Sequence, residues 1–184
     1  MKVAAVSDLH LREQRLSEQV PVLRAIEREI AVAKPDLITI GGDTYQWSVP
    51  ATSTIFERNT FMEFVLNLAA VAPVISVSGN HDTIGDLAFM NHLRTSNPVR
   101  HFDRPGFHVE KDRPSHVLVA LPWMDRSAFG PEEDWQEATL KAWRTVLDQA
   151  RSHAPKRVIV VAHAALKGAV LIEGQPPVPV HDPT

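Results

Sequence analysis

The sequence predicts an α/β fold with a mixed sheet, on three observations. Apolar runs of strand length recur at residues 2–6, 37–40, 73–77 and 157–162. Stretches with helical apolar spacing lie between the early runs, which makes strand-helix-strand units with right-handed crossovers to parallel neighbours. Residues 107–110 and 116–121 flank the turn Lys111-Asp112-Arg113-Pro114 and read as a hairpin, so the sheet is not purely parallel.

Residues 2–6 run as a buried strand into Ser7-Asp8-Leu9-His10. Asp8 and His10 are two apart, and an extended backbone puts such side chains on one side, where both can serve one metal centre. From 17 to 33, Leu23, Ile26, Ile30 and Ala33 recur at helical spacing opposite Arg24, Glu27 and Arg28, with Pro21 in the first turn. Lys34-Pro35-Asp36 ends this helix, and the strand at 37–40 leaves through Gly41-Gly42-Asp43. Two glycines before a carboxylate permit close backbone approach, letting Asp43 reach into a crowded cleft. The loop at 44–54 carries Tyr45, Gln46 and Trp47, aromatics that either stack on a nucleobase or cover the edge of the core. Residues 55–71 form a helix whose Phe61, Met62, Phe64, Val65, Leu66, Leu68 and Ala69 leave little polar face; it is deeply buried or partly a subunit contact.

The strand at 73–77 delivers Ser78-Gly79-Asn80-His81-Asp82, with Gly79 turning the backbone sharply so that the polar residues project into a cleft. A helix is predicted over 84–93, with Ile84, Leu87, Ala88 and Asn91 on one stripe and His92 structural. Residues 94–104 read as irregular and mildly basic through Arg94, Arg100 and Arg104; His101, His108 and His116 have no supporting partner in sequence. After the hairpin, Gly130-Pro131-Glu132-Glu133-Asp134 opens a helix with acids in its first turn and a buried stripe of Trp135, Ala138, Ala142, Trp143, Val146 and Ala150. The strand at 157–162 exits at His163. Residues 1–174 read as one domain, and prolines at 176, 177, 179 and 183 make 175–184 an extended tail.

Apolar content of 44% and charged content of 22% suffice for a single-domain core. The absence of cysteine excludes a disulfide scaffold, thiolate catalysis and sulfur-ligated zinc, and fits a reducing cytoplasm, the expected location. Residues 3–6 are too short for a signal peptide, and no apolar run reaches membrane-spanning length. A net charge of -3 gives no global nucleic-acid footprint, though a local basic patch beside an acidic site remains compatible with a nuclease.

Four strand ends thus present Asp8 and His10, Asp43, Asn80 and His81, and His163. Carboxylate and amide oxygens mixed with imidazoles suit Mn²⁺, Fe²⁺ or Zn²⁺ better than Ca²⁺ or Mg²⁺ alone. Two such ions, about 3.5–4 Å apart and bridged by a carboxylate, form the clamp used for in-line displacement at phosphorus. His81 could protonate the leaving alkoxide.

The order Asp-x-His, Gly-Asp, Gly-Asn-His-Asp and His resembles the calcineurin-like metallophosphoesterase superfamily over nearly the whole chain. The resemblance implies a sandwich of mixed sheets flanked by helices. It implies that Asp8 and His10 bind the first metal, Asp43 bridges, and Asn80 and His163 bind the second. His81 would contact substrate as the general acid, oriented by Asp82. Within the superfamily, Ser7-Asp8-Leu9-His10-Leu11, Gly41-Gly42-Asp43-Thr44 and the segment from His163 to Ala169 are similar to SbcD-type DNA repair exonucleases. That similarity implies manganese-dependent cleavage of DNA, an SbcC-like ATPase partner, and a homodimer through the helix around Phe61 and Ala69.

One motif of that family, Gly-His-x-His, does not occur before Thr184, and His181 sits among residues that match nothing in it. The expectation is a truncated reading frame or trimmed chain lacking one imidazole per metal and the final strands of the fold. Two other readings keep most of these observations: a phosphodiesterase or phosphatase acting on small molecules, and a metal-poor scaffold that uses the fold to bind a partner. Retention of His81, which a scaffold does not need, favours an enzyme.

Overall fold

The computed structural model describes residues 1–46, 53–109, 115–131 and 134–164. Its first sheet contains β1 (Val3–Val6), β2 (Leu37–Ile40), β3 (Val74–Val77) and β4 (Val99–Phe102), side by side in chain order and parallel throughout. The helices α1 (Leu16–Ala33) and α2 (Ile55–Val71) make the first two crossovers. Every residue of β2 and β3 is buried, as expected of central parallel strands covered on both faces. Alternation along these strands divides their side chains between two cores. Ile38, Ile40 and Val74 pack with Leu23 and Ile30 of α1 and with Phe61, Phe64, Val65 and Leu68 of α2. Leu37, Ile75 and Val77 face the other way, onto Leu118, Ala120 and Val161 of the second sheet.

The second sheet is β5 (Gly106–Val109), β6 (His116–Leu121) and β7 (Arg157–Ala162), with β5 antiparallel and β7 parallel to β6. Its outer face meets α3 (Trp135–Ser152) through Val117, Val119 and Leu121 against Val146 and Ala150. The layers are therefore helices, parallel sheet, mixed sheet, helix, which is the predicted sandwich with the mixing confined to the second sheet. Helix starts follow their caps. Thr54 and Glu57 form a capping box on α2, and the Asp134 carboxylate accepts from the N–H groups of Gln136 and Glu137 on α3.

Two expectations fail here. Residues 84–93 form turns and a short 3-10 segment, Ala88–His92, instead of a helix. Gly85 is left-handed at φ +85°, and the Asn91 amide is engaged by the main chain of His101, so neither end supports α-helical continuation. The stretch 94–104, read as irregular, contains β4, whose Val99 and His101 are buried on either side of exposed Arg100. Counting His101 as polar hid that alternation. Trp47, the turn at 111–114, Glu132, Glu133, the 168–174 segment, the proline-rich tail and His181 lie outside the described residues. Among the described residues, no helix is long and apolar enough to cross a membrane. On α2, Phe61, Phe64, Val65, Leu68 and Ala69 are buried, while Ile55, Phe56, Met62 and Leu66 are exposed, the last two at 36% and 38%.

Candidate metal centre

Because β1, β2 and β3 are parallel neighbours, their carboxyl ends lie together and their loops converge. The first two loops are strained. Asp8, His10 and Asp43 have φ of +57°, +45° and +52°, a left-handed conformation that costs a residue with a Cβ about 1 kcal/mol or more. Asp8 and His10 are thus not brought together by extended alternation, as the spacing suggested, but by two reversed residues around Leu9. Main-chain bonds hold this shape: Asp8 N–H to Gly42 O at 3.1 Å, His10 N–H to Asp43 O at 2.9 Å and Leu11 N–H to Thr44 O at 2.9 Å. Gln19 of α1 adds a clamp, donating its amide to the carbonyls of His10 (3.0 Å) and Leu9 (3.3 Å) while accepting from Arg12 N–H (3.0 Å). Glu57, buried at the start of α2, accepts from the N–H groups of Glu13 and Thr54, each at 2.7 Å.

Asp43 stands at the middle. Its Oδ2 lies 3.7 Å from His10 Nε2 and 3.6 Å from His163 Nε2, and its Oδ1 accepts from His81 N–H at 2.9 Å. Asp8 Oδ1 is 4.0 Å from His10 Nε2, and Asn80 Oδ1 is 3.0 Å from His163 Nε2. Among the described residues, His10, Asp43 and His81 form a group whose potential ligand atoms all lie within 4.8 Å of one another. The rings of His10 and His81 meet edge-on at 4.9 Å. Six of the seven residues selected from the sequence, Asp8, His10, Asp43, Asn80, His81 and His163, are therefore gathered around one carboxylate.

The hydrogen bonds behind the imidazoles decide what faces the centre. His163 Nδ1 lies 2.8 Å from the Gly41 carbonyl and His81 Nδ1 lies 2.7 Å from the Gln46 carbonyl; a carbonyl only accepts, so both Nδ1 atoms carry the proton. His163 Nε2 then points a lone pair at Asn80 Oδ1 and Asp43 Oδ2. Lone pairs facing lone pairs repel, and either a proton or a cation between them relieves the conflict. A backbone carbonyl behind each ring is also the usual support of a metal-ligating histidine. The donor set around Asp43 fits a divalent ion.

Two glycines are required where the loops touch. A Cβ on Gly42, which has φ +98°, would lie 2.6 Å from Gly79 N and 2.7 Å from His163 Nδ1. A Cβ on Gly79 would lie 2.1 Å from Asp43 Oδ1. Gly79 itself has no positive φ, so its role is to make room for the Asp43 carboxylate, not to turn the chain.

Asp82 makes its contacts with main-chain N–H groups. Its carboxylate accepts from the N–H groups of Gly79 (2.9 Å), Thr44 (2.9 Å) and Tyr45 (3.4 Å), stapling the second loop to the third, while the His81 ring is oriented by Gln46. Burial pushes the Asp82 pKa up against the pull of those donors, and the nearby Asp43 charge adds to the rise. Tyr45 is only 2% exposed and edge-on to Phe61 at 5.9 Å, so it covers the core and is not free to stack on a base; burial raises its pKa.

Sequence reasoning missed Gln19, Glu57, His101 and Trp123. Neither a glutamine nor a capping glutamate signals its long-range partner. His101 lies between the Ser76 and Ser78 hydroxyls, 3.2 Å from each, and burial lowers its pKa to about 4. Trp123 follows β6; its main-chain N–H donates to Ser78 O at 2.9 Å and its ring stands edge-on to His163 at 6.5 Å.

A stretch of 87 residues, 45% of the chain, is 34% identical to the SbcD component of the SbcCD nuclease of Staphylococcus epidermidis and covers 23% of that protein, so the match spans less than a quarter of its length. A solved structure of YfcE, a phosphoesterase from E. coli, matches with a TM-score of 0.38 and 19% identity over 72% of this chain and 62% of that one. The model of the calcineurin-like phosphoesterase family matches residues 1–177, a span that includes every strand end described above. The chain belongs to the calcineurin-like phosphoesterase family, whose reaction class is phosphoester hydrolysis.

Proposed function

We propose that the protein is a nuclease of the SbcD type that hydrolyses DNA phosphodiester bonds with two divalent metal ions, Mn²⁺ by preference. The observation that carries this reading is Asp43 Oδ2 standing 3.7 and 3.6 Å from the Nε2 atoms of His10 and His163. In this reading Asp8 and His10 hold one ion, Asn80 and His163 hold the other, and Asp43 is shared. Bound there, the ions supply charge neutralisation at phosphorus and lower the pKa of water. His81, with Nδ1 committed to Gln46 O, keeps Nε2 for the proton that the leaving alkoxide needs. The similarity to an SbcCD component supports DNA as substrate and an SbcC-like ATPase as partner. Cytoplasmic action, and a homodimer through the exposed Met62 and Leu66 of α2, belong to the same proposal.

The 4.8 Å grouping of His10, Asp43 and His81 favours a second reading of one residue, with His81 as a ligand to the first ion. Titration calorimetry with Mn²⁺ separates the two. As general acid, His81→Ala keeps the full metal stoichiometry and loses roughly 10²–10⁴ in kcat; as ligand, it loses one equivalent. Mn²⁺-stimulated DNA cleavage should vanish in Asp43→Ala, and robust cleavage surviving both substitutions would sink the nuclease reading. Turnover of bis(p-nitrophenyl) phosphate without cleavage of DNA would move the substrate to small phosphodiesters.

A further inference from the structure

We propose that Trp123 is a stacking platform for an unpaired nucleobase next to the scissile phosphate, an inference that rests on the phosphodiesterase reading of the centre. Trp123 is only half-buried, and neither it nor Trp135 belongs to any of the three apolar clusters of the described residues, so core packing does not account for the pair. Its location is fixed from both sides. The buried Pro122 precedes it, and its own N–H is tied to Ser78 O, immediately before the Gly79-Asn80 turn. The ring stands edge-on to His163 at 6.5 Å, while Trp135, the first residue of α3, backs it at 6.1 Å and a 51° tilt. An aromatic plane is thus held at the rim of a polar, acceptor-lined centre, on the side where His163 and the exposed Asn80 meet.

A nucleotide presents that combination of chemistries: a charged phosphate for the centre and, a short distance away, a planar base for an aromatic ring. Stacking on an aromatic side chain needs a base whose face is free, so this contact selects unpaired nucleotides over those inside a duplex. It is tolerant of base identity, because every base has a π-face. Of the two aromatics that the sequence suggested for stacking, Tyr45 is in the core and Trp47 lies outside the described residues, whereas Trp123 stands beside the centre.

The test is equilibrium binding by fluorescence anisotropy in Mn²⁺, using a labelled phosphorothioate thymidine 10-mer and the same backbone carrying abasic units. Trp123→Ala should weaken binding of the thymidine strand by about tenfold, within the range of base stacking measured by alanine substitution. The loss on the abasic strand should be at least severalfold smaller, and Trp123→Phe should restore most of the affinity. Equal losses on the two strands would mean a structural role and overturn the proposal, as would no loss or no binding of the wild-type protein to the thymidine strand. Mn²⁺-dependent hydrolysis of bis(p-nitrophenyl) phosphate by the wild type is scored separately. If it is present while the base-dependent loss is absent, the stacking proposal fails and the phosphodiesterase reading stands.

Discussion

Strands β3 and β7 both end at the candidate metal centre, yet they hold their polar residues there by different means. All of β3 is buried between two parallel neighbours, and its exit loop is fixed by glycine contact, by Asp82 and by the Ser78–Trp123 bond. In β7 only Val161 is buried, and β6 is its one partner among the described residues. His163 is held by single bonds reaching across to Gly41 O and Leu121 O. The parallel sheet is therefore a dense base on which strained loops are built, whereas β7, among the described residues, adds only Val161 and the partly buried Ile159 to a core cluster. Changes at the β3 exit should cost stability and function together; changes on β7 should separate them.

The largest effect is expected at Gly79. Its Cβ would sit 2.1 Å from Asp43 Oδ1, so Gly79→Ala must displace the second loop and should cost about 4 kcal/mol or more, with loss of metal binding. Urea unfolding measures this; a loss under about 1 kcal/mol would show that the loops are not locked together. Next is Asp82→Ala, which leaves three N–H groups of two loops without their acceptor and should cost about 3–4 kcal/mol.

Acid acts on the same strand through His101. In the unfolded chain this imidazole protonates near pH 6.5, but in the folded chain, where burial disfavours the charge, only near about 4. The stability gained by keeping it neutral is present in full above pH 6.5. It is lost as the pH falls from there to about 4, by on the order of 3 kcal/mol in total. Unfolding of the wild type and of His101→Gln should diverge across that window, and parallel pH profiles would show that His101 is not the titrating group.

His163→Ala should cost only about 1 kcal/mol, the worth of the bond to Gly41 O, while lowering the number of Mn²⁺ bound. A loss as large as that at Gly79 would erase the distinction between the two strands.

The legible part of this molecule was what repeats locally. Apolar runs of strand length and helical spacing located β1, β2, β3, β7 and the three helices, and the polar residue at the end of each run pointed to the centre. What could not be read depends on partners far along the chain. The Asp82 carboxylate bonds residues 37 and 38 positions away, and Gln46 orients His81 from 35 positions away through its carbonyl, an atom every residue possesses. The left-handed Asp8, His10 and Asp43 were equally hidden, since only glycine announces that conformation in sequence.

The smallest expected effect is the sharpest check on β7. Val158 and Val160 are 40% and 49% exposed on the face of the second sheet that α3 covers elsewhere, next to the buried Val117 and Val119 of β6. If that face is open to water, Val160→Thr keeps the β-branched shape, exchanges an exposed methyl for a hydroxyl, and should change stability by less than about 0.5 kcal/mol. A loss of about 2 kcal/mol or more would mean that the strand is covered in solution, by residues outside the described ones or by another molecule. Sedimentation of the variant would then distinguish these: a shift to a smaller species identifies a second copy, and an unchanged species assigns the cover to the chain itself. In either case β7 would prove to be a core strand, and its contrast with β3 would fall.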